Sequence, residues 1–306
     1  MDISKKLKII QQITGLTQTE LAAKISLSFV AFNSLINGKS QPRAKTLSKI
    51  DELFETITGV RKVPAGELAV KKQIIVAKSK KYQNIIKTIS GNKKIFDEFL
   101  LELTYQTNKI EGSTLSEGET AAILFENSSI AGKSLVEQLE AKNHQTALIY
   151  LFDYLNNSKI ITEELILKLH SILLNSINDE AGLYRRHGVR IVGANIPTAN
   201  YLKVPDLMKE LVADTNKSRT DIIAQATGIH ARFEQIHPFV DGNGRIGRLI
   251  LQAMMLRRNL PPAVIKQDKK VLYLQYLNKT QTTDDQSLLD DFICDAINEG
   301  FMILES

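Results

Sequence analysis

Twelve residues from His237 to Arg248, HPFVDGNGRIGR, bring together one imidazole, one carboxylate, three glycines, an amide and two guanidinium groups. A glycine-broken turn placed directly before a helix can wrap its backbone amides around a phosphate, and the field of the helix N-terminus adds to the attraction. Gly242 and Gly244 leave no side chain between such a ligand and those amides. Asn243 either fixes the turn or donates its own amide. Arg245 and Arg248, three apart, share a face of the first helical turn and can grip a polyphosphate through charge-assisted bonds. Asp241, together with phosphate oxygens, makes an ordinary magnesium shell. His237, four residues earlier, can serve as a base near neutral pH. The chemistry expected is transfer of a phosphate-linked group to a nucleophile that His237 deprotonates. The plain alternative is a capped loop whose arginines pair with local acids. A Walker A lysine followed by Ser or Thr is absent, and one histidine without cysteine cannot make a zinc site in this stretch.

Helices must hold that turn. The run LILQAMMLRRN, immediately after it, is apolar on most sides and is expected as a central buried helix. Phe96, Phe99, Leu100 and Leu103 give one apolar face to a helix that enters TNKIEG. There Thr107 and Glu111 stand four apart on one face, and Gly112 is expected as the C-cap. SLVEQLEAKNHQTALIYLFDYL spans six turns with Val136, Leu139, Ala147, Leu148, Leu151 and Leu155 on related faces, and Thr162 is expected to cap a further helix. Between these, YRRHGVRIVGANIP alternates and is rich in β-branched residues, which predicts a short hairpin. The fold class expected is all-α with one β excursion. His144, His170, His187 and His230 are expected as hydrogen-bond partners, and Cys294 as a core residue.

The chain has 306 residues, 43% hydrophobic and 24% charged, a globular composition without a run long enough to span a membrane. The N-terminus lacks a signal-peptide pattern and the one cysteine excludes an intrachain disulfide, so a cytoplasmic location is expected. The net charge of +5 is unevenly spread: residues 1–90 carry +10 and the remainder −5. Such a split fits a nucleic-acid-facing module joined to a different body, or else a solvated lysine surface. In the basic head, Leu7, Ile10 and Ile13 make one helix face, Thr17 with Glu20 forms a capping pattern, and SFVAFNSLI places Val30, Ser34 and Leu35 at helical spacing before Asn37-Gly38. A last helix is expected from about Ala44 to Phe54.

The head resembles the helix-turn-helix domain of phage-repressor-like regulators, through Thr17-Gln18, Leu21-Ala22, Asn37-Gly38 and Pro42. That resemblance implies that the helix from near Ser28 enters a major groove. It carries Asn33 but no Arg, Lys or Gln for base readout, while Lys24, Lys39, Arg43 and Lys45 could touch phosphates. A module kept for protein contact is the competing reading. HPFVDGNGRIGR resembles the signature of the Fic family and satisfies each of its fixed positions. The chain is thereby expected to divide into a helix-turn-helix-like domain (1–60), a helical linker (61–92) and a Fic domain (93–306). The resemblance implies a transferase that moves AMP from ATP, with Mg2+, to a Ser, Thr or Tyr hydroxyl of a target protein. Carried over by position, His237 is the catalytic base and Asp241 the magnesium ligand. Gly242, Asn243 and Gly244 cradle the phosphates, with Arg245 and Arg248 on the bound phosphates. Val189, Arg190, Ile191, Val192, Gly193 and Ala194 would form the edge of a β-hairpin flap that docks the target. Thr107, Glu111 and Gly112 resemble the family's inhibitory motif, with Glu111 occupying Arg248. Tyr273 and Tyr276 match a region that closes over adenine, although tyrosines at helical spacing also pack. Relatives often form homodimers. Glu111 could alternatively serve removal of AMP by hydrolysis. A DNA-bound regulator whose body senses nucleotide, or a scaffold held off by the brake, are the other readings.

Overall fold

Thr17, Ser28, Asn92, Ser116 and Thr162 each accept a backbone N–H two or three residues ahead, and each thereby starts a helix. The computed structural model describes residues 2–58, 63–190, 197–283 and 285–306. The chain forms two compact units, Met1–Lys62 and Val63–Ser306.

The first unit contains α1 (Ile3–Thr14), α2 (Gln18–Lys24), α3 (Phe29–Ile36) and α4 (Ala44–Thr58). The expected reciprocal cap is present: Glu20 N donates to Thr17 Oγ1, and Thr17 N donates to Glu20 Oε2 at 2.8 Å. Leu7, Ile10, Leu21, Phe32, Leu35, Ile36, Ile50 and Phe54 make a core of its own. Val30 does not join it and is 75% exposed. Phe32, Leu35 and Ile36 form the inward stripe of this short helix, and Val30 lies on the opposite side. Ile13, expected inward, is also exposed.

The second unit runs α5 (Ala65–Ser79), α6 (Ile85–Ser90), α7 (Lys93–Glu111), α8 (Glu117–Phe125), α9 (Leu135–Asn157), α10 (Glu163–Leu173), α11 (Val204–Asn216), α12 (Ile222–Ile236), α13 (Asn243–Arg257), α14 (Lys270–Thr283) and α15 (Ser287–Leu304). As its composition predicts, α13 is central and buried from Arg245 to Leu256. Helices α7, α9, α10 and α12 all pack against it. The stretch 61–92, expected as a helical linker, contains α5 and α6, which bury Leu68, Ile75, Ile85, Ile86 and Ile89 in this core. Among the described residues no single helix is long and apolar enough to cross a membrane.

The expected β-hairpin is a correction. No β-strand occurs among the described residues, and Val189 and Arg190 lie in irregular chain. Ile191, Val192, Gly193 and Ala194 lie outside the described residues. The physical reason is a substitute for the strand ladder. Arg185, almost wholly buried, donates Nη1 to His187 O (2.8 Å) and Nη2 to Ala199 O (2.5 Å), while Thr198 Oγ1 donates to Val189 O (2.8 Å). Among the described residues, these side chains tie the two legs together.

Two lysines fasten α5 to the body. Lys72 Nζ lies 2.5 Å from Asp290 Oδ2 on α15 and 2.7 Å from Asp221 Oδ2, whose other oxygen caps α12. Lys71 binds Asp291 and Asp295 next to it. Burial raises the Asp290 carboxyl above its ordinary pKa, with Lys72 opposing. Lys72→Ala is therefore expected to leave a buried carboxyl without its partner and to lower stability by about 3 kcal/mol. A urea melt checks this, and an unshifted midpoint would contradict it.

Candidate active site

The turn before α13 is held from three directions. His237 ends α12 in the left-handed region (φ 51°), and Gly242 (φ 77°) takes the same conformation just ahead of α13. Asn243 clamps the turn from inside: Phe239 N donates to its Oδ1 and its Nδ2 donates to Phe239 O, both at 2.9 Å. Of the two roles open to Asn243 in the sequence, it fills the structural one. Arg185 holds the other side, its N donating to Pro238 O (2.9 Å) and its Nε to His237 O (2.7 Å). From α10, His170 stacks on Phe239 at 3.7 Å between ring centres. Its Nδ1 accepts from Gly182 N (2.8 Å), which leaves Nε2–H to donate to Asp241 O at 3.1 Å. Burial pushes the His170 imidazole down to about 4, so this ring is neutral.

His237 has a defined tautomer by the same logic. Its Nδ1 lies 3.2 Å from Glu234 O, a carbonyl that can only accept. The proton therefore sits on Nδ1, and Nε2 carries the lone pair. Burial lowers its pKa, against the bond to Glu234 and the charges of Glu111 and Asp241. Asp241 keeps 54% of its side chain exposed; Oδ1 accepts from Gly242 N (2.6 Å) and Oδ2 is 3.5 Å from Arg245 Nη2.

Both arginines are buried and both are engaged. Arg248 donates Nε to Thr107 Oγ1 (2.6 Å) and Nη2 to Glu111 Oε1. Burial would lower the pKa of this guanidinium, but Glu111 foremost, with Tyr273 and Glu234, raises it. Glu111 closes α7 and Gly112 follows as a left-handed C-cap (φ 104°), as the spacing predicts. The pair is one-sided: the Arg248 side chain is 6% exposed and that of Glu111 39%. A Cβ on Gly244 would overlap the Glu111 carboxylate, so the glycine lets the acid lie against the helix start. Arg245 donates Nη1 to Glu140 Oε1 on α9 at 2.6 Å.

Glu140, Glu234, His170 and Arg185 all support this site without standing out in the sequence. Glu234 is fully inside the protein, and burial pushes its carboxyl up to about 7, with Arg248 opposing. Its only sequence signal is an acid three residues before His237. Tyr273 and Tyr276 are buried within the core, at 1% and 2% exposure. Tyr273 OH lies 2.7 Å from His230 Nε2, and both tyrosines pack on Phe292. Among the described residues, no three His, Cys, Asp or Glu side chains cluster as a metal cage would require. The donor set suits a magnesium ion held by the exposed carboxylate of Asp241 plus substrate phosphates. In the first unit, Lys24, Lys39, Arg43 and Lys45 are all exposed.

Comparison with known proteins agrees with this architecture. Residues 160–255 match the Fic/DOC family and residues 14–58 the helix-turn-helix family. The protein adenylyltransferase Fic of Nematostella vectensis is 29% identical over 252 residues, covering 80% of this chain and 54% of that protein. The protein of the same name from Drosophila sechellia is 30% identical over 183 residues, covering 59% of this chain and 37% of its own. The chain thus spans about half or less of the length of these curated relatives. Among solved structures, Fic-1 from C. elegans superimposes with a TM-score of 0.70 at 21% identity, covering 98% of this chain and 92% of its own. A Fic domain containing signaling protein from Bacteroides thetaiotaomicron gives 0.65 at 23%, covering 77% and 98%. At these identities the structures show a shared fold. The chain carries a Fic-type domain, with a helix-turn-helix-like region ahead of it.

Proposed function

We propose that this protein is a self-inhibited adenylyltransferase, moving AMP from ATP to a hydroxyl side chain of a target protein. The observation that carries the reading is a histidine with a free Nε2 at the rim of a glycine-capped helix start, where two buried guanidinium groups converge. The relatives named protein adenylyltransferase support the same class of chemistry. His237 Nε2 takes the hydroxyl proton as the oxygen attacks the α-phosphorus. The bond from that phosphorus to the bridging oxygen breaks, and pyrophosphate leaves. Amides at the start of α13 and the Arg245 and Arg248 guanidinium groups meet the phosphate charge, prepositioned rather than recruited. Asp241 would hold Mg2+, which supplies charge neutralisation on the phosphates. Thr107 and Glu111 occupy Arg248 and so oppose the productive triphosphate pose. The decisive experiment incubates candidate targets with the Glu111→Gly variant, ATP and magnesium, and reads intact mass for an AMP adduct. A phosphate or another nucleotide in its place would sink the assignment.

The open side of Glu111 favours a second direction, in which its carboxylate positions water to remove AMP from modified targets. Loss of AMP from a modified target by the parent but not by Glu111→Gly would establish it. For the head, the helix-turn-helix match and four exposed cations support a DNA contact. Neutralising Lys24, Lys39, Arg43 and Lys45 together should flatten the dependence of log K on log salt by about 0.9 for each phosphate no longer neutralised. No duplex affinity of the full chain at low salt would remove that reading.

A further inference from the structure

Arg245 raises a problem of charge. Its side chain is only 4% exposed, and a guanidinium held inside a protein needs a counter-charge there. Two carboxylates are in reach. Glu140 Oε1 accepts from Nη1 at 2.6 Å, a full charge-assisted hydrogen bond. Asp241 Oδ2 stands 3.5 Å from Nη2, outside good hydrogen-bond range. Arg245 Nε is buried without a partner, so Glu140 is the strongest anchor this guanidinium has among the described residues. Asp241 Oδ1 is already taken by Gly242 N, which leaves Oδ2 as the oxygen with freedom to bind elsewhere.

We propose that Glu140 is a positioning residue: it holds Arg245 back from Asp241 and thereby keeps the Asp241 carboxylate available to a divalent cation on bound phosphates. This rests on the reading of the site as a Mg-ATP transferase. The two acids compete for one cation. Asp241 Oδ2 already lies 3.5 Å from Arg245 Nη2, so the approach needs little motion. Without Glu140, Arg245 closes on Asp241 and withdraws the oxygen that the metal needs. Glu140 is well placed to prevent this, because it projects from α9, a 23-residue helix that packs on α13, and its side chain is 19% exposed.

The test uses the full chain in the Glu111→Gly background, so that the brake does not mask the effect. Calorimetry measures ATP affinity with magnesium and with EDTA, and labelled ATP measures the magnesium needed for half-maximal transfer. Glu140→Ala should raise that magnesium requirement about tenfold, as the loss of a partner behind a metal ligand does. The gain in ATP affinity on adding magnesium should shrink, and by more than any loss of affinity in EDTA. Glu140→Gln keeps an acceptor for Nη1 and loses the charge. It should fall between, and it carries the test if the alanine variant folds poorly. In an Asp241→Ala background, Glu140→Ala should add nothing, since it acts through that carboxylate. The proposal is overturned by an unaltered magnesium requirement in both Glu140 variants, by equal affinity losses with and without magnesium, or by additive losses with Asp241→Ala. If the Glu111→Gly parent itself binds no ATP or transfers no AMP, the functional reading fails and the proposal falls with it.

Discussion

Replacing Glu111 by glycine is expected to raise AMP incorporation into protein on the order of 10- to 100-fold, the range of an ordinary coupling between two sites. Arg248 is the reason. Its buried guanidinium donates to Thr107 and Glu111, and the second partner carries the neutralising charge. Removing that carboxylate leaves an interior cation short of an anion, and a triphosphate supplies one. Because 39% of the Glu111 side chain meets solvent, screening weakens the pair and holds the gain below that of a fully buried one. The variant should also melt lower without nucleotide, since glycine weakens the end of α7 by about 1 kcal/mol. Mg-ATP should restore more stability to it than to the parent. Acid is not expected to mimic the substitution near neutral pH. Burial raises the Glu111 pKa, but Arg248 overcomes this and holds it below the ordinary 4.5. A depressed carboxyl stabilises the fold above its ordinary pKa, and that contribution fades only as pH falls through the lowered value. Labelling by Glu111→Gly no greater than by the parent would remove the brake from this account.

His237→Ala, made in the same background, should lower transfer by about 10²- to 10⁴-fold, the usual contribution of a positioned base. ATP affinity should stay nearly unchanged, because the imidazole meets the incoming hydroxyl and not the phosphates. The pH profile gives an independent check. Burial lowers the His237 pKa below the ordinary 6.5, and the neutral ring is the active form. The acid limb of kcat/KM should therefore lie below 6.5 and disappear from the residual activity of the alanine variant. Equal labelling by His237→Ala and its parent would refute the base assignment.

Much of the site is legible in the sequence because it is local. Gly112 takes the left-handed conformation that its place at a helix C-terminus favours, and Thr17 with Glu20 closes a reciprocal cap within four residues. The polar run before LILQAMML does become a turn feeding a buried helix. The meeting of Glu111 with Arg248 is implied by the family resemblance alone, since 137 positions separate them. The hairpin shows the opposite case. Alternation around Val189 suggests strands, but Arg185 and Thr198 tie the two legs through side chains, and a local pattern cannot report on that.

Residue types and their local spacing set which chemical groups are present and how short-range geometry arranges them: the helix caps, the glycine turn, the apolar central helix and a base four residues from a carboxylate. Which atoms are free to act depends on long-range packing. The packing of α7, α9, α10 and α12 on α13 brings Glu111 to Arg248, Glu140 to Arg245 and His170 to the backbone of Asp241. Those partners come from faces of helices far apart in the chain, and the packing of whole helices selects them. The tautomer of His237 is different, for it follows from a carbonyl three residues away once α12 has formed.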